Sequence, residues 1–436
     1  MNSKVLVSLL LFFASAMIFG QSENESLRKM TVDEAVELAR NNNVSIARSQ
    51  ITLEAASRAK AHSWNSISPT ASFSASSTLP VDALSDVDSA YTASIGLSAT
   101  LSLNLTANLF TSMNAAKIAY ESGKLTFSDA VKSVELGVRE AFYGLLYERE
   151  NIVLQERNLE IAKTQYNNNL AKYNQGRLSE IDVLSAEVNY KSKIPTVESA
   201  RTTFLNDMAS FKQTLGLNLD EKIELEGTLD DLINLNEISV DEKNIHSSSI
   251  KQLEYRLESA KNSVTDKRFS AFAPSLNASL NWSDGNWYVG YDGTAPDPQK
   301  SASFRLSATI PLDGLLPWSV RNDAIDSAKD NVKDLEFQLE NEKKNLTRTV
   351  MSSLRSIKQS QESIKYKQAN VTLAQRTYDM TAEAYNRGTK DLLTLQNANT
   401  SLLNAQVSLK SEVLTLIRAV LNLENTIGVD FGTLGR

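Results

Sequence analysis

The chain has no cysteine. That excludes disulfides, thiolate metal sites, a cysteine nucleophile and a lipid anchor on an amino-terminal cysteine. Histidine is nearly missing too: His62 and His246 are the only two and lie in unrelated contexts, too few for a histidine metal site or a His-containing triad. With 8 Pro and 16 Gly in 436 residues and no stretch that reads as a flexible linker, a string of separate domains is disfavoured. Net charge is -7, and clustered Lys/Arg with interleaved aromatics is absent, so nucleic acid is not an expected partner. Ser57 and Ser248 each open a Ser-x-x-Lys pattern, but no companion lactamase-type motif accompanies them. Carboxylates in "ENEKKNLTR" and "ERENIVLQER" alternate with bases as on a solvated coiled-coil face. Neither catalysis nor a metal or cofactor is expected.

What is present begins with "MNSKVLVSLLLFFASAMIFG", a lysine followed by an apolar run from Val5 to Phe19 and then small or polar residues, the layout of a secretory signal peptide. The run is shorter than the roughly 20 residues a spanning helix needs. Cleavage is expected near Gln21, with residues 1–20 removed and no membrane helix left in the mature chain.

The mature sequence repeats itself. "YNQGRLSEIDVLSAE" from Tyr173 returns as "YNRGTKDLLTLQNAN" from Tyr385, and Gly176/Gly388, Ala186/Ala398 and Gly216/Gly428 share one offset of 212. Upstream, "SPTASFSAS" around Pro69 is echoed by "APSLNASLN" around Pro274 at an offset of 205. Such self-similarity predicts two structural repeats, residues 21–220 and 221–436, each with a helix, a strand pair and a long helical hairpin.

Apolar periodicity assigns the elements. Thr31 stands three residues before Glu34, a capping-box signature, and a helical pattern continues to about Ile67, where Pro69 stops it. From Tyr91 to Leu109 every odd residue is apolar and every even one polar or Gly. Thr70 to Ser76, Leu276 to Trp282 and Ala302 to Ile310 alternate as well, which makes four strands in all. Val131, Val138, Leu145, Ile152, Leu159, Tyr166 and Tyr173 then keep a seven-residue spacing, as do Val350, Ile357, Ile364, Val371, Tyr378 and Tyr385. This is coiled-coil packing, with residues 112–173 expected to run roughly 90 Å as one helix. The duplicated glycine sentence reverses each long helix, and a shorter one of roughly 50 Å returns to Leu215 in the first copy.

Strands with small polar residues on one side and Leu/Ile/Ala on the other fit a barrel in lipid. Trp282, Trp287, Tyr288 and Tyr291, in the loop of the second strand pair, are candidate aromatics for the membrane interface. Four strands cannot close, since open edges in hydrocarbon leave backbone groups unsatisfied, so several chains must pool theirs.

These residues resemble the TolC-like outer-membrane efflux proteins over nearly the whole mature chain. "TVDEAVELARNNNVSIARSQ" is similar to the family's amino-terminal helix, "SPTASFSAS" to its first strand, and the two glycine sentences to its periplasmic turns. The resemblance implies a homotrimer whose strands form a 12-stranded barrel in outer-membrane lipid, continued by a helical barrel through the periplasm. It also implies a passive exit duct working with a periplasmic adaptor protein and an inner-membrane transporter. The fold expected is thus an α+β membrane protein. At the turns, Gly176 and Gly388 mark the reversals, Asp182 falls where the family commonly has an aspartate, and Lys390 falls where a basic residue can pair with it. Some members place aspartates six and nine residues after the second glycine; here Thr394 and Asn397 stand there. The rival reading is a periplasmic coiled-coil adaptor or binding protein that never enters the membrane.

Overall fold

The computed structural model describes residues 28–78, 93–232, 247–289 and 300–434. The expected signal peptide, Tyr91, His246 and Tyr291 lie outside them.

The chain opens with β1 (Arg28–Met30), α1 (Val32–Asn42) and α2 (Val44–Ala61). Thr31 and Glu34 close the expected capping box: the Thr31 N–H donates to Glu34 Oε2 at 2.9 Å and the Glu34 N–H to Thr31 Oγ1 at 3.3 Å. The expected continuous helix to Ile67 is broken. Asn43 takes an extended conformation (φ -72°, ψ 127°), ends α1 and caps α2 by accepting the Ser45 N–H, and a short 3-10 turn over Ser63–Ile67 completes the segment. Asparagine does this because its side chain replaces the missing helical hydrogen bond.

Four strands follow the alternating runs: β2 (Thr70–Thr78) and β3 (Ala93–Thr106), then, after the helices described below, β5 (Ser275–Val289) and β6 (Ser301–Thr309). They form one antiparallel sheet in the order β2-β3-β5-β6, so the two strand pairs meet at the central β3–β5 pair. Two boundaries differ from expectation. β3 ends at Thr106, and the apolar Ala107 and Leu109 belong to the turn that starts the next helix. β5 runs on through Trp287 and Tyr288 to Val289, with a register shift opposite Ile95–Leu97, so Trp282, Trp287 and Tyr288 lie in a strand and not in a loop.

The helix α3 (Asn108–Asn174) has 67 residues and spans about 100 Å at ~1.5 Å per residue. Its return, α4 (Glu180–Leu215), has 36 residues and continues through Pro195. After a short strand β4 (Ile223–Leu225) and α5 (Ser248–Phe272), α6 (Val320–Asn386) and α7 (Leu392–Ile427) repeat the hairpin with the same lengths, 67 and 36 residues, at the 212 offset. β1 and β4 pair in parallel, a contact that three-residue strands gave no period to reveal.

The main core lies where α1 and both hairpins meet. Val138, Phe142, Phe211, Leu215, Val413, Leu416 and Leu423 are buried there, with Phe142 packed edge-on to Phe211. Burying side chains of this size stabilises by about 1.5–3 kcal/mol each. Inside it, Glu135 is tied to Arg40 at 2.6 Å and Arg139 at 3.0 Å, and Glu424, fully buried, accepts the backbone N–H groups of Gly432 and Leu434, folding the carboxy-terminal segment back. Paired and hydrogen-bonded in this way, both carboxylates avoid the penalty of an isolated buried charge.

Candidate functional site

The sheet has two chemically opposite faces. Across it, Ala71 pairs with Leu101, Leu101 with Leu280 and Leu280 with Phe304, and this face is open: Phe73 is 68% exposed, Phe304 69% and Leu306 67%. One residue along, the row reads Thr70, Ser102, Ser279 and Arg305. Neighbours on the polar face bond one another across strands, Thr70 to Ser102 at 2.8 Å, Thr100 to Asn281 at 3.0 Å and Ser283 to Ser301 at 2.7 Å, while Asn277 donates to Asn104. The apolar face has a charged margin. Asp284, opposite Leu97, pairs with Lys300 at 3.8 Å, two residues beyond Trp282.

At the opposite end of the molecule the two hairpin tips are built alike. Gly176 and Gly388 have φ of 69° and 74°, the left-handed conformation that a glycine takes without strain. Each ends its long helix in a Schellman arrangement: the Gly176 N–H bonds Tyr173 O and the Arg177 N–H bonds Lys172 O, as Gly388 bonds Tyr385 O and Thr389 bonds Ala384 O. Ser179 and Asp391, at equivalent positions, then cap the returning helices. Asp391 accepts the Thr394 N–H at 2.8 Å, and hydrogen bonds from the Thr394 side chain and backbone hold its carboxyl below the usual range. The two caps went unread in the sequence, although S-x-x-D and D-x-x-T spacing before an apolar run is a legible signal.

The expected site residues are brought to this end, but not into one cluster. Asp182 accepts the Ser179 hydroxyl at 2.6 Å, and no ion pair joins it to Lys390 among the described residues; Lys390 is exposed beside Asp391. Thr394 is half-buried in the first turn of α7, and Asn397, exposed, accepts the Ser401 hydroxyl through its carbonyl.

What does join the two hairpins is a polar seam between α3 and the second hairpin. From tip to core, the Tyr385 hydroxyl donates to Asn169 Oδ1 at 2.7 Å, Asn399 Nδ2 to Asn158 Oδ1 at 2.5 Å, Lys410 contacts Glu150 at 2.9 Å, and Asn422 donates to Glu140 at 2.9 Å. Asn169, Asn158 and Asn399 are buried. Burial raises the Tyr385 phenol, the Asn169 bond opposes that shift, and the Asp182 charge adds to it. Tyr166, Tyr173, Tyr378 and Tyr385 continue the heptad frame, yet three of the four residues that meet across the seam in its tip half, Asn169, Asn158 and Asn399, are amides. Their polar chemistry hid them from an apolar period.

This geometry builds a wall: a sheet with an uncovered apolar face, a polar face of small side chains, and two long hairpins with matched tips. Among the described residues no helix is long and apolar enough to cross a membrane.

Comparison with known proteins agrees. The crystal structure of the Campylobacter jejuni CmeC outer membrane channel shares the fold with TM-score 0.73 at 20% identity, covering 91% of this chain and 85% of that one. CusC, whose crystal structures concern folding and transmembrane channel formation, gives TM-score 0.74 at 13% identity and 92% coverage of both chains. The outer membrane protein VceC from Vibrio cholerae gives 0.69 at 15% identity, with 92% and 96% covered. A search of curated proteins finds no match. The outer membrane efflux protein family matches residues 35–217 and 240–429, most of the chain and both hairpins, and to that family the chain belongs.

Proposed function

We propose that three copies of this chain form the outer-membrane exit duct of a tripartite efflux or type I secretion system. The observation that carries this reading is the open four-stranded sheet, with an exposed apolar face and, among the described residues, unpaired outer edges on β2 and β6. Such edges close only with other chains. Two chains would give an eight-stranded barrel filled by its own side chains, whereas three give twelve strands and a lumen wide enough for cargo. Band height supports lipid as the occupant. From Leu97 to Leu105 the apolar face of β3 climbs about 27 Å along the strand, or about 21 Å once tilted by ~40°, close to the ~25 Å apolar band of outer-membrane barrels. Trp282 and the Asp284–Lys300 pair mark one margin of that band.

In this arrangement the two repeats, 21–220 and 221–436, each contribute half of a chain's strands and one periplasmic hairpin, after signal-peptide cleavage near Gln21. Six tips, each turning at Gly176 or Gly388, ring the periplasmic end, where a periplasmic adaptor protein packs and an inner-membrane transporter delivers cargo. Asp182, Lys390, Thr394 and Asn397 border the aperture, with Asp182 and Lys390 free to pair between neighbouring tips of the trimer.

Native mass spectrometry of the protein released from detergent tests the reading. A trimer is expected, and a stable monomer would overturn the duct. Charge reversal at Asp182 or Lys390 should raise single-channel conductance in planar bilayers, with partial return in the double reversal.

A further inference from the structure

On the polar face of the sheet, charge occurs once. Among the described strand residues, Ser72, Ser74, Ser76, Ser98, Thr100, Ser102, Asn104, Asn277, Ser279, Asn281, Ser303, Ser307 and their neighbours on that face are small and neutral, and Arg305 alone is ionic. Its place is mid-strand in β6, opposite Ser279, with four residues of the strand on either side. Its side chain is exposed and makes no ion pair or hydrogen bond among the described residues, in contrast to the serine, threonine and asparagine side chains that bond one another along the same face. The guanidinium brings a cation with five donors suited to carboxylate and phosphate oxygens.

We propose that Arg305 supplies an anion-attracting ring at mid-height in the barrel lumen, a low-affinity subsite for solutes bearing carboxylate, phosphate or sulfonate groups. The inference rests on the trimeric duct reading. Twelve strands about 4.8 Å apart and tilted by ~40° enclose a lumen with backbone radius of about 12 Å, and an extended arginine covers roughly half of it. Three guanidinium groups therefore stand about 10 Å from one another, near one Debye length at about 0.1 M salt, so their fields overlap across the opening. A neutral wall sharpens the effect. No carboxylate on the described part of that face competes for the arginines, and a multivalent anion can bridge two or three of them at once.

Binding of inorganic tripolyphosphate to the purified full-length protein in detergent tests this by isothermal titration calorimetry, with Arg305→Ser and Arg305→Lys beside the wild type and native mass spectrometry on each sample. The expected result is one tripolyphosphate per trimer, at least tenfold weaker in Arg305→Ser, largely retained in Arg305→Lys, and weakened steeply by added salt. Equal binding by trimeric wild type and trimeric Arg305→Ser would overturn the ring and leave the duct standing. A wild type that is monomeric would overturn both. Because Ser already occupies the positions on either side along this face, the serine variant keeps the strand's chemistry and should assemble.

Discussion

Leu101 and Ser102 are neighbours on β3 whose side chains point to opposite faces, and arginine at each separates a lipid-embedded sheet from a solvated one. Leu101 lies between Ala71 and Leu280, near the middle of an apolar run that reaches Ile95 one way and Leu105 the other. At that depth Leu101→Arg should cost about 2–4 kcal/mol per chain in a lipid-facing barrel position. Since each ~1.4 kcal/mol is tenfold in an equilibrium, one substitution per chain shifts assembly by about 30- to 700-fold even before the copies in the proposed trimer combine. Ser102→Arg places its charge on the polar face. There the loss is confined to the 2.8 Å contact with the Thr70 hydroxyl, about 0.5–1.5 kcal/mol at most and less at an exposed site. The assay is the yield of heat-modifiable trimer in the outer-membrane fraction, followed by the urea midpoint after refolding into lipid vesicles. Leu101→Arg should abolish most of the trimer, and Ser102→Arg should leave it close to wild type. Equal effects at the two positions would refute the assignment of the apolar face to lipid.

Three further outcomes follow from the helices. Gly176→Ala should lower stability by about 1–2 kcal/mol through backbone strain alone, because φ is 69° and an added Cβ meets nothing within 4 Å; Gly216→Ala should cost more, since its Cβ would stand 2.6 Å from Asn42 Cβ, and thermal unfolding in detergent ranks the two. Asn158→Ala should cost about 1–3 kcal/mol by leaving the buried Asn399 amide unpaired, whereas Asn158→Leu with Asn399→Leu should recover most of that loss in urea unfolding. Glu148 is raised to about 7 by burial first, then by Asp207, with Arg418 opposing. Because this lies above its unfolded value of 4.5, its contribution to stability is full below about pH 4.5 and is lost as pH rises through about 7. Solvent screening holds the swing to about 1 kcal/mol. Glu148→Gln should flatten that stretch of the stability profile and be the more stable protein at pH 8.

The sequence by itself determined the elements that have a period. Alternation placed β2, β3, β5 and β6, seven-residue spacing placed the long helices, and the duplicated Gly176 and Gly388 sentences placed the turns, since each of these is written in residues close along the chain. Even there, local chemistry set limits that the period did not carry: Asn43 breaks a helix whose apolar pattern runs on, and the Ala107–Leu109 alternation is taken by a helix start. Only tertiary structure decided which strands meet. The β3–β5 pairing that joins the two strand pairs, and with it the solitary place of Arg305 among neutral neighbours, depends on sheet order, which no one strand encodes. The same holds for the seam. Asn158 meets Asn399 across 241 residues, and Tyr385 meets Asn169 across 216. An amide in a heptad frame reads as an exposed polar residue until a partner from another helix buries it and takes its hydrogen bond. Glu148 is the electrostatic counterpart: its sequence neighbours are ordinary, and its raised pKa arises from burial against Asp207 of α4, a carboxylate that folding alone carries to its side.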